Sequence, residues 1–345
     1  RWGFFPGVSA GWVFTKEPFM QDLSDKLNMS FGKLRSSYGV NGNVSGIGPY
    51  TLQGSYSAPK YDGLVGNLVG TIPNPYLRWE RSNTFEIGAD LSFWQNKLTT
   101  NITYYNRLTT DKFANIPLPT TSGISSITTN NGAIRNKGVE VQIDYRAINT
   151  KDWKWNLSLN GAFNKNIVVK LPDNGLERNR QGAFEVYTGN GDEKIWVGGY
   201  QEGQEPGVLY AYKAEGIYKS YDEIPGNLID RSTGNNGSNN MWLYGPDAWN
   251  ALPLSEKVKF DNKGNIIGAK ALPIQPGDVK WKDVNGDGVI DKFDLVKIGN
   301  TTPRVTGGFN SVLSYKNFTF STSLDFGLGF YIVDARTPWI MGNMQ

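Results

Sequence analysis

Alternation of apolar and polar residues over stretches of about ten residues most constrains what this chain can fold into. The clearest stretch covers 84–93, where every second residue is apolar: Phe85, Ile87, Ala89, Leu91 and Phe93. The residues between them are polar or small: Thr84, Glu86, Gly88, Asp90 and Ser92. Side chains of a β-strand point alternately to its two faces. The stretch therefore predicts a strand with one apolar and one polar face.

The same alternation returns along the chain and is interrupted by short turns at 94–97, 149–152 and 316–317. The further predicted strands are Leu98–Arg107, Gly138–Arg146, Trp153–Asn164, Gly308–Tyr315 and Phe318–Leu328, with a less regular pair at Phe5–Phe14 and Phe31–Asn41. Most run about 9–11 residues, the length of a strand that crosses a bilayer at a tilt. Strands of water-soluble proteins are usually about 5–6 residues long.

Very short connections alternate with very long ones, as periplasmic turns and extracellular loops do in outer-membrane barrels. Aromatic residues flank the short turns, where an interfacial girdle would lie: Phe93, Trp94, Tyr145, Trp153, Trp155, Tyr315 and Phe318. The alternative is that these aromatics form the core of a soluble β-sandwich. We predict an all-β fold: part of an antiparallel transmembrane β-barrel with long extracellular loops.

The alternation also assigns side chains to lipid and to the barrel interior. The expected lipid-facing residues are Phe85, Ile87, Val139, Val141, Leu157 and Phe320. The expected interior residues are Glu86, Asp90, Asn101, Glu140, Gln142, Asp144, Ser158, Asn160 and Asp325.

Strand parity predicts the arrangement of the loops. If each short turn is periplasmic, 1–165 holds barrel strands with extracellular loops at 42–83 and 108–137, and 306–345 returns to the barrel. Residues 166–305 are then one large extracellular region, or contain an even number of further crossings. A structureless loop of that length is uncommon in a compact protein unless it has a function.

Composition excludes several classes of function. The chain has 35 Lys and Arg against 32 Asp and Glu, a formal net charge of +3, and no basic block, so no nucleic-acid partner is expected. It contains neither Cys nor His. Thiol or imidazole catalysis and the usual zinc sites are therefore excluded. We considered Glu202 with Glu205 and Asp192 with Glu193 as acid–base pairs, and favoured solvated charge. No catalytic residue is predicted, and the chain is not expected to be an enzyme.

The segment 283–294 has the spacing of an EF-hand-type calcium loop. Its expected ligands are Asp283, Asn285, Asp287, the carbonyl of Val289, Asp291 and Asp294. Gly288 supplies the sharp turn at the sixth position, and calcium takes about six to eight oxygen ligands at such a spacing. The final Asp replaces the Glu of helical EF-hands. The alternative is an ion-free turn, because Asp, Asn and Gly are also turn residues. A calcium ion here would be structural.

Aromatic residues are dense in the same region and suit a binding surface. The candidates for ligand or partner contact are Trp196, Tyr200, Tyr210, Tyr212, Trp242, Tyr244 and Trp249. Aromatic faces beside polar groups fit sugars, and Tyr and Trp are enriched at protein interfaces. Packing of the region upon itself is the remaining possibility, and we ranked packing or partner contact before direct ligand contact.

Several motifs, in order, resemble the SusC/RagA family of TonB-dependent outer-membrane transporters of Bacteroidetes. Those before residue 110 are LRSSYGVNGN at 34–43, NPYLRWE at 74–80, the IGAD of 87–90 and YYN at 104–106. Those after it are NKGVE at 136–140, NKN at 164–166, PGDVKWKDVNGDGVID at 276–291 and IGNTTP at 298–303. Their order, from near residue 30 onward, identifies the chain as a member of this family.

The resemblance implies a barrel of about 22 strands with a plugged lumen, placed in the outer membrane against its lipid. It implies TonB-driven import of oligosaccharides or peptides with a SusD-like surface lipoprotein. The plug and the TonB box have no counterpart in these residues, so we expect a piece of a longer protein. The rival hypothesis is a secreted or surface β-rich glycan-binding or adhesion module without transport.

Overall fold

A computed structural model describes residues 2–48, 51–188, 192–232 and 241–334. In chain order the strands are β1 (Gly7–Trp12), β2 (Met29–Asn43), β3 (Ser55–Ser57), β4 (Lys60–Tyr61), β5 (Leu64–Val65), β6 (Leu68–Thr71), β7 (Glu80–Phe93), β8 (Leu98–Pro117), β9 (Ser126–Asn149), β10 (Trp153–Lys170), β11 (Phe184–Tyr187), β12 (Lys194–Val197), β13 (Val208–Ala211), β14 (Ala214–Ile217), β15 (Ile229–Asp230), β16 (Trp242–Tyr244), β17 (Val258–Phe260), β18 (Ile266–Ala269), β19 (Ala271–Pro273), β20 (Val279–Trp281), β21 (Val289–Ile290), β22 (Val296–Asn300), β23 (Val305–Tyr315) and β24 (Phe318–Leu328).

Helical segments are few and short. The α-helices are α1 (Gln21–Lys26), α2 (Pro246–Ala251) and α3 (Leu254–Lys257). Single 3-10 turns occur at Phe14–Lys16, Pro18–Met20, Thr120–Ser122, Glu177–Asn179, Tyr221–Glu223 and Lys292–Asp294. Within the described ranges, no helix has the length and apolar character needed to cross a membrane.

An eight-stranded antiparallel sheet forms most of the first of two compact units. Its order is β1-β2-β7-β8-β9-β10-β23-β24, so each strand lies beside the next long strand of the chain. This up-and-down order lets tight hairpins connect neighbours. The prediction of an all-β antiparallel fold is confirmed.

The strands reach further than the alternation indicated. β8 and β9 continue through most of the expected loop 108–137 and leave only 118–125 between them. Their outer parts are rich in Thr and Asn and lack an apolar face. The alternation of apolar and polar residues is therefore absent there, although the two strands remain paired. The expected loop 42–83 likewise contains the short pairs β3–β6 and β4–β5.

Cross-strand pairing places the predicted lipid-facing and interior residues on opposite faces. One row of directly paired residues is polar except for one glycine: Lys33, Asp90, Asn101, Gln142, Asn160, Gly308 and Asp325. The next row, on the other face, is apolar or small: Leu34, Ala89, Ile102, Val141, Gly161, Gly307 and Phe326. A slip of one residue in any strand would exchange its two faces, so this register preserves the pattern.

The apolar face is uncovered, and on β7 and β8 the polar face is the more buried of the two, the inverse of a water-soluble sheet. Ile87 is 49% exposed and Phe320, on the edge strand, is 68% exposed, although both are large and apolar. Thr84, Ser92 and Thr103, on the polar face, are buried. A soluble β-sandwich would bury its apolar face against a second sheet. Neither Ile87 nor Phe320 is buried in that way.

The short turns lie side by side at one end of the sheet and are hydrogen-bonded to each other's strands. The backbone N–H of Arg146 donates to Lys97 O (2.8 Å), and that of Lys316 donates to Asp152 O (2.8 Å). The rings of Trp153 and Tyr315 stack at this end with 4.3 Å between centroids. This end of the sheet, with the connections 13–28, 94–97, 149–152 and 316–317, is called the tight-turn rim below.

The first connection of the tight-turn rim differs from prediction. The expected strand Phe5–Phe14 is β1, which begins later, at Gly7, and ends at Trp12. A helical segment then runs to β2. Pro18 cannot donate to a sheet ladder, and Phe14 turns back so that its ring lies over Gly32. β1 therefore ends at Trp12, and Phe14, two residues later, packs against Gly32 of β2.

At the opposite end, the motif NPYLRWE fastens the loop before β7 to the long β8–β9 hairpin. The buried carboxylate of Glu80 accepts hydrogen bonds from Phe113 N (2.9 Å) and Asn43 Nδ2 (3.1 Å). Asn74 Nδ2 donates to Thr128 O at 2.8 Å. A buried carboxylate needs such donors. The motif thus stabilises the irregular part of β8.

The second compact unit comprises 182–199 and 207–300 and contains short strands that pair only among themselves. It has its own apolar core, made of Tyr218, Ile224, Leu228, Ile274 and Ile290. The first unit takes the remainder, including 200–206. No described strand between β10 and β23 joins the large sheet.

Gly138 of the motif NKGVE is required by close backbone approach. A Cβ atom at this position would lie 2.1 Å from Phe163 O. We expect G138A to lower the free energy of unfolding by about 1–3 kcal/mol, as overpacking does. G161A is the matched control in the adjacent strand, because a Cβ atom there meets nothing within 4 Å. Urea unfolding of the protein measures both, and equal midpoints would contradict the close approach.

Candidate functional site

The polar face of the large sheet is the first candidate site, and its centre is an ion pair with amide and hydroxyl partners. Arg35 Nε donates to Asp90 Oδ1 at 3.2 Å, and Arg35 Nη2 donates to Asn101 Oδ1 at 3.0 Å. Asn101 Nδ2 donates to Asp90 Oδ1 at 2.5 Å, and Arg35 also contacts the Thr103 hydroxyl. Hydrogen bonds to ionised groups are the stronger ones. The network therefore fixes side chains from three strands.

Acidic and amide groups continue across the same face towards β24. A cavity of about 500 Å³ lies against them, lined in part by Asn101, Glu140, Gln142, Asn160 and Asp325. Asp325 stands opposite Gly308, which adds no side chain to the row. This face presents hydrogen-bonding groups and negative charge, and it can hold water or a polar solute.

The EF-hand-type loop forms a series of turns in which side-chain oxygens accept backbone N–H groups. Asp283 accepts from Gly286 N (2.7 Å) and Gly288 N (2.8 Å), and Asp287 Oδ1 accepts from Val289 N (2.7 Å). In the part of the chain that the structure describes, no group of three or more acidic side chains is arranged to hold a metal ion. Carboxylate oxygens have further lone pairs, so these bonds leave capacity for a cation.

Asp294 ends this loop and is fully buried. Burial raises the pKa of Asp294 to about 6, and the charges of Asp283 and Asp291 act in the same direction. Hydrogen bonds from Val284 N (2.8 Å) and Asp291 N (2.7 Å) oppose the rise of this pKa. A nearby cation would favour the ionised carboxylate. Carboxylate and carbonyl oxygens are the donor type that calcium prefers, and calcium binding stays a prediction.

The loop is joined to the core of the second unit through its apolar position. Ile290 is 1% exposed and belongs to the core cluster. β21, which contains it, pairs in parallel with β15. Burial raises the pKa of Tyr212 to about 12, with Asp291, Asp294 and Asp230 adding to the rise. Order in the loop is therefore linked to order in the core.

Three of the seven predicted contact aromatics are used in packing within the second unit. Tyr244 is buried, the Tyr212 ring lies 5.8 Å from that of Trp281, and the Tyr210 ring lies 6.0 Å from that of Phe184.

The remaining contact candidates are more accessible or lie beside cations. Trp242 is partly exposed, with the Arg231 guanidinium 4.3 Å from its ring. Trp249 has Lys257 Nζ at 4.8 Å. Trp196 is half-buried on β12. Tyr200 is exposed and belongs to the first unit, where it bridges to Gln181. The seven residues therefore divide between the two units.

Glu202 and Glu205 are not solvated charges, and that interpretation is wrong for them. Glu205 Oε2 accepts from Arg304 Nη2 at 2.8 Å, and Lys165 Nζ lies 3.5 Å from its other oxygen. Glu202 Oε1 accepts from Leu171 N at 2.9 Å. Both carboxylates fasten 200–206 to the ends of β10 and β23. The spacing of the two Glu residues could not predict the salt bridges, because Lys165 and Arg304 are distant from Glu205 in the sequence.

Comparison with known proteins places the chain among TonB-dependent receptors. A family described as "TonB dependent receptor-like, beta-barrel" matches residues 1–229. The TonB-dependent receptor P39 of Formosa agariphila is 31% identical over 338 residues, which are 95% of this chain and 29% of that protein. The TonB-dependent receptor SusC of Bacteroides thetaiotaomicron is 28% identical over 341 residues, 96% of this chain and 28% of its own length.

Solved structures support the same fold. The RagAB peptide transporter matches with a TM-score of 0.60 and 22% identity over 94% of this chain and 29% of that chain. The RagAB peptide importer in its open-open state matches with the same score and identity over 95% of this chain and 29% of that chain. The chain spans less than a third of the length of these relatives.

Calcium should stabilise the second unit through the loop. At a calcium concentration of a hundred times the Kd, the free energy of unfolding should rise by about 2.7 kcal/mol. The D283N substitution should remove this increase. D261N is the control, because Asp261 holds a similar turn through Lys263 N and Asn265 N without further carboxylates. Calorimetry with calcium or a chelator measures the effect. No difference between the two conditions in the wild-type protein would contradict the calcium site.

Proposed function

The chain belongs to the TonB-dependent receptor-like β-barrel family, and from this premise we propose that it forms part of the wall and outer region of a TonB-dependent importer in the outer membrane. The family consists of transporters and receptors and not of enzymes, in keeping with the lack of a predicted catalytic group. The proposed whole protein imports oligosaccharides or peptides together with a SusD-like surface lipoprotein.

The observation that carries this proposal is the contrast in chemistry between the two faces of the large sheet. Its apolar face is continuous over eight strands and exposed, while its polar face holds the Arg35–Asp90–Asn101 network. Water-soluble proteins rarely leave a continuous apolar surface that spans eight strands exposed to water. Acyl chains would cover it, and the paired strands leave few main-chain groups without a partner in hydrocarbon.

The polar face and the outer region would serve the transported solute and the lipoprotein. Glu140, Gln142, Asn160 and Asp325 would line a water-filled path or contact a plug supplied by the rest of the protein. RagAB, which shares this fold, is a peptide transporter, and this supports peptides as one substrate class of the whole protein. The exposed rings of Tyr200 and Trp242 suit contacts with either substrate class.

Calcium in the loop 283–294 would have a structural part in this scheme. It would hold β21 beside β15 and so keep the outer unit ordered. TonB would act through segments of the whole protein other than the strands described here.

The membrane placement predicts opposite tolerance at adjacent residues. V141R puts a cation among acyl chains and should cost about 2–4 kcal/mol if Val141 lies near the bilayer midplane. Q142R, one residue later, points to the polar face and should fold normally. The measurement is unfolding by denaturant of the intact protein in lipid vesicles. Equal losses in both variants would argue against a lipid-facing surface.

The transport proposal predicts a substrate-specific growth defect. In the native host, loss of the intact gene should abolish growth on oligosaccharides or on peptides as sole nutrient, and the affected class identifies the substrate. Disruption of TonB should have the same effect, and a tagged protein should co-purify with a surface lipoprotein. Normal growth on both classes, together with a protein that is soluble without detergent, would favour an adhesion or glycan-binding module.

A further inference from the structure

The helical connection between β1 and β2 presents an uncovered apolar stripe at the tight-turn rim. Leu23 lies in α1 and Leu27 directly follows the helix, four residues later and therefore on the same face, while Phe19 lies in the preceding 3-10 turn. Leu27 N donates to Leu23 O at 3.0 Å, so the helical turn closes between them. The three side chains are 70%, 48% and 48% exposed.

This stripe is continuous with the apolar face of the large sheet. Trp12, the last residue of β1, pairs with Leu34 on that face. The Phe19 ring lies 6.3 Å from the Trp12 ring, and Phe14 covers Gly32 on the same side. The connection therefore extends the apolar face beyond the end of the strands instead of turning towards the polar face.

Hydrogen bonds fix the connection against the neighbouring turn. Trp94 N donates to Asn28 O at 2.8 Å, and Asn96 N donates to Ser30 Oγ at 3.1 Å. Ser24 is buried on the protein side of α1. With one side held by the sheet, the stripe cannot rotate freely to hide its apolar side chains.

We propose that residues 13–28 form an interfacial anchor that lies in the headgroup region of the periplasmic leaflet. Phe19, Leu23 and Leu27 insert among the parts of the acyl chains nearest the headgroups. An amphipathic helix of this kind lies in the plane of the interface with its apolar face buried. The occupant is phospholipid, because the stripe continues a surface whose proposed partner is lipid.

The surrounding residues agree with that depth. Trp94, in the neighbouring turn of the same rim, is exposed, and Trp is enriched where membrane meets water. Lys16 and Lys26 are exposed at either end of the helical segment. Their ammonium groups can reach phosphates while their methylene stems lie along the apolar surface. Asp25 lies on the opposite side of α1 from Leu23 and is expected to face water.

The inference rests on the proposed membrane placement of the strands, and the experiment separates the two. Single-cysteine variants L23C, D25C and I87C of the intact, otherwise cysteine-free protein are labelled with an environment-sensitive fluorophore in phospholipid vesicles. This chain itself has no native cysteine. Quenchers are aqueous iodide, a lipid with a nitroxide near the headgroup, and one with a nitroxide near the acyl-chain end.

The Leu23 probe should be quenched about twofold more by the shallow nitroxide than by the deep one, as an interfacial depth requires. The Ile87 probe should prefer the deep nitroxide, and the Asp25 probe should prefer iodide. Iodide quenching of the Leu23 probe equal to that of the Asp25 probe would overturn the anchor. A Leu23 probe shielded from every quencher would also overturn it, since protein would then cover the stripe.

The Ile87 probe reports on the proposed function alone. If it is quenched by lipid while the Leu23 probe is not, the importer proposal stands and the anchor fails. If iodide reaches the Ile87 probe as well, the membrane placement itself fails. A folding control is the heat resistance of each labelled variant, which must equal that of the wild-type protein.

Discussion

Main-chain hydrogen bonding between neighbouring strands is the constraint on which this structure depends. Main-chain N–H and C=O groups of the large sheet pair with those of the next strand, as the proposed membrane placement requires, because hydrocarbon would offer no other partner. Long antiparallel ladders meet that need and at the same time fix which side chains share a face. The apolar face, the polar network around Asp90 and the position of every turn follow from this register.

The register also explains where glycine and carboxylate residues stand. Gly138 allows a backbone approach that any larger residue would obstruct. The Glu80 carboxylate accepts a hydrogen bond from the backbone N–H of Phe113 in the irregular part of β8. Glu205 forms salt bridges with Lys165 in β10 and with Arg304 directly before β23. These polar contacts lie where the ladder ends or bends, since a regular ladder satisfies its own groups.

The sequence predicted the central part of the fold well, because period-two alternation is a direct record of two unlike environments. Strands such as 318–328 agree with prediction to the residue. The extensions of β8 and β9 were not predicted, because a strand that is polar on both faces shows no alternation of apolar and polar residues. The helical connection after β1 was not predicted either, because Phe14 and Trp12 continue the aromatic pattern of a strand while Pro18 ends it. The partners of Glu202 and Glu205 come together only through the fold, so local spacing carried no sign of them.

The two ends of the large sheet differ in how much change they admit. At the tight-turn rim, Trp94, Gln95 and Asn96 follow one another in the left-handed conformation, and adjoining turns bond to one another. An inserted residue there would disturb several neighbours at once. The far ends of β8 and β9 stay paired up to Pro117 and Ser126, and only the connection 118–125 between them can change in length without disturbing the ladder. In the proposed importer, the connection 118–125 can therefore vary in sequence and length while the tight-turn rim keeps its geometry.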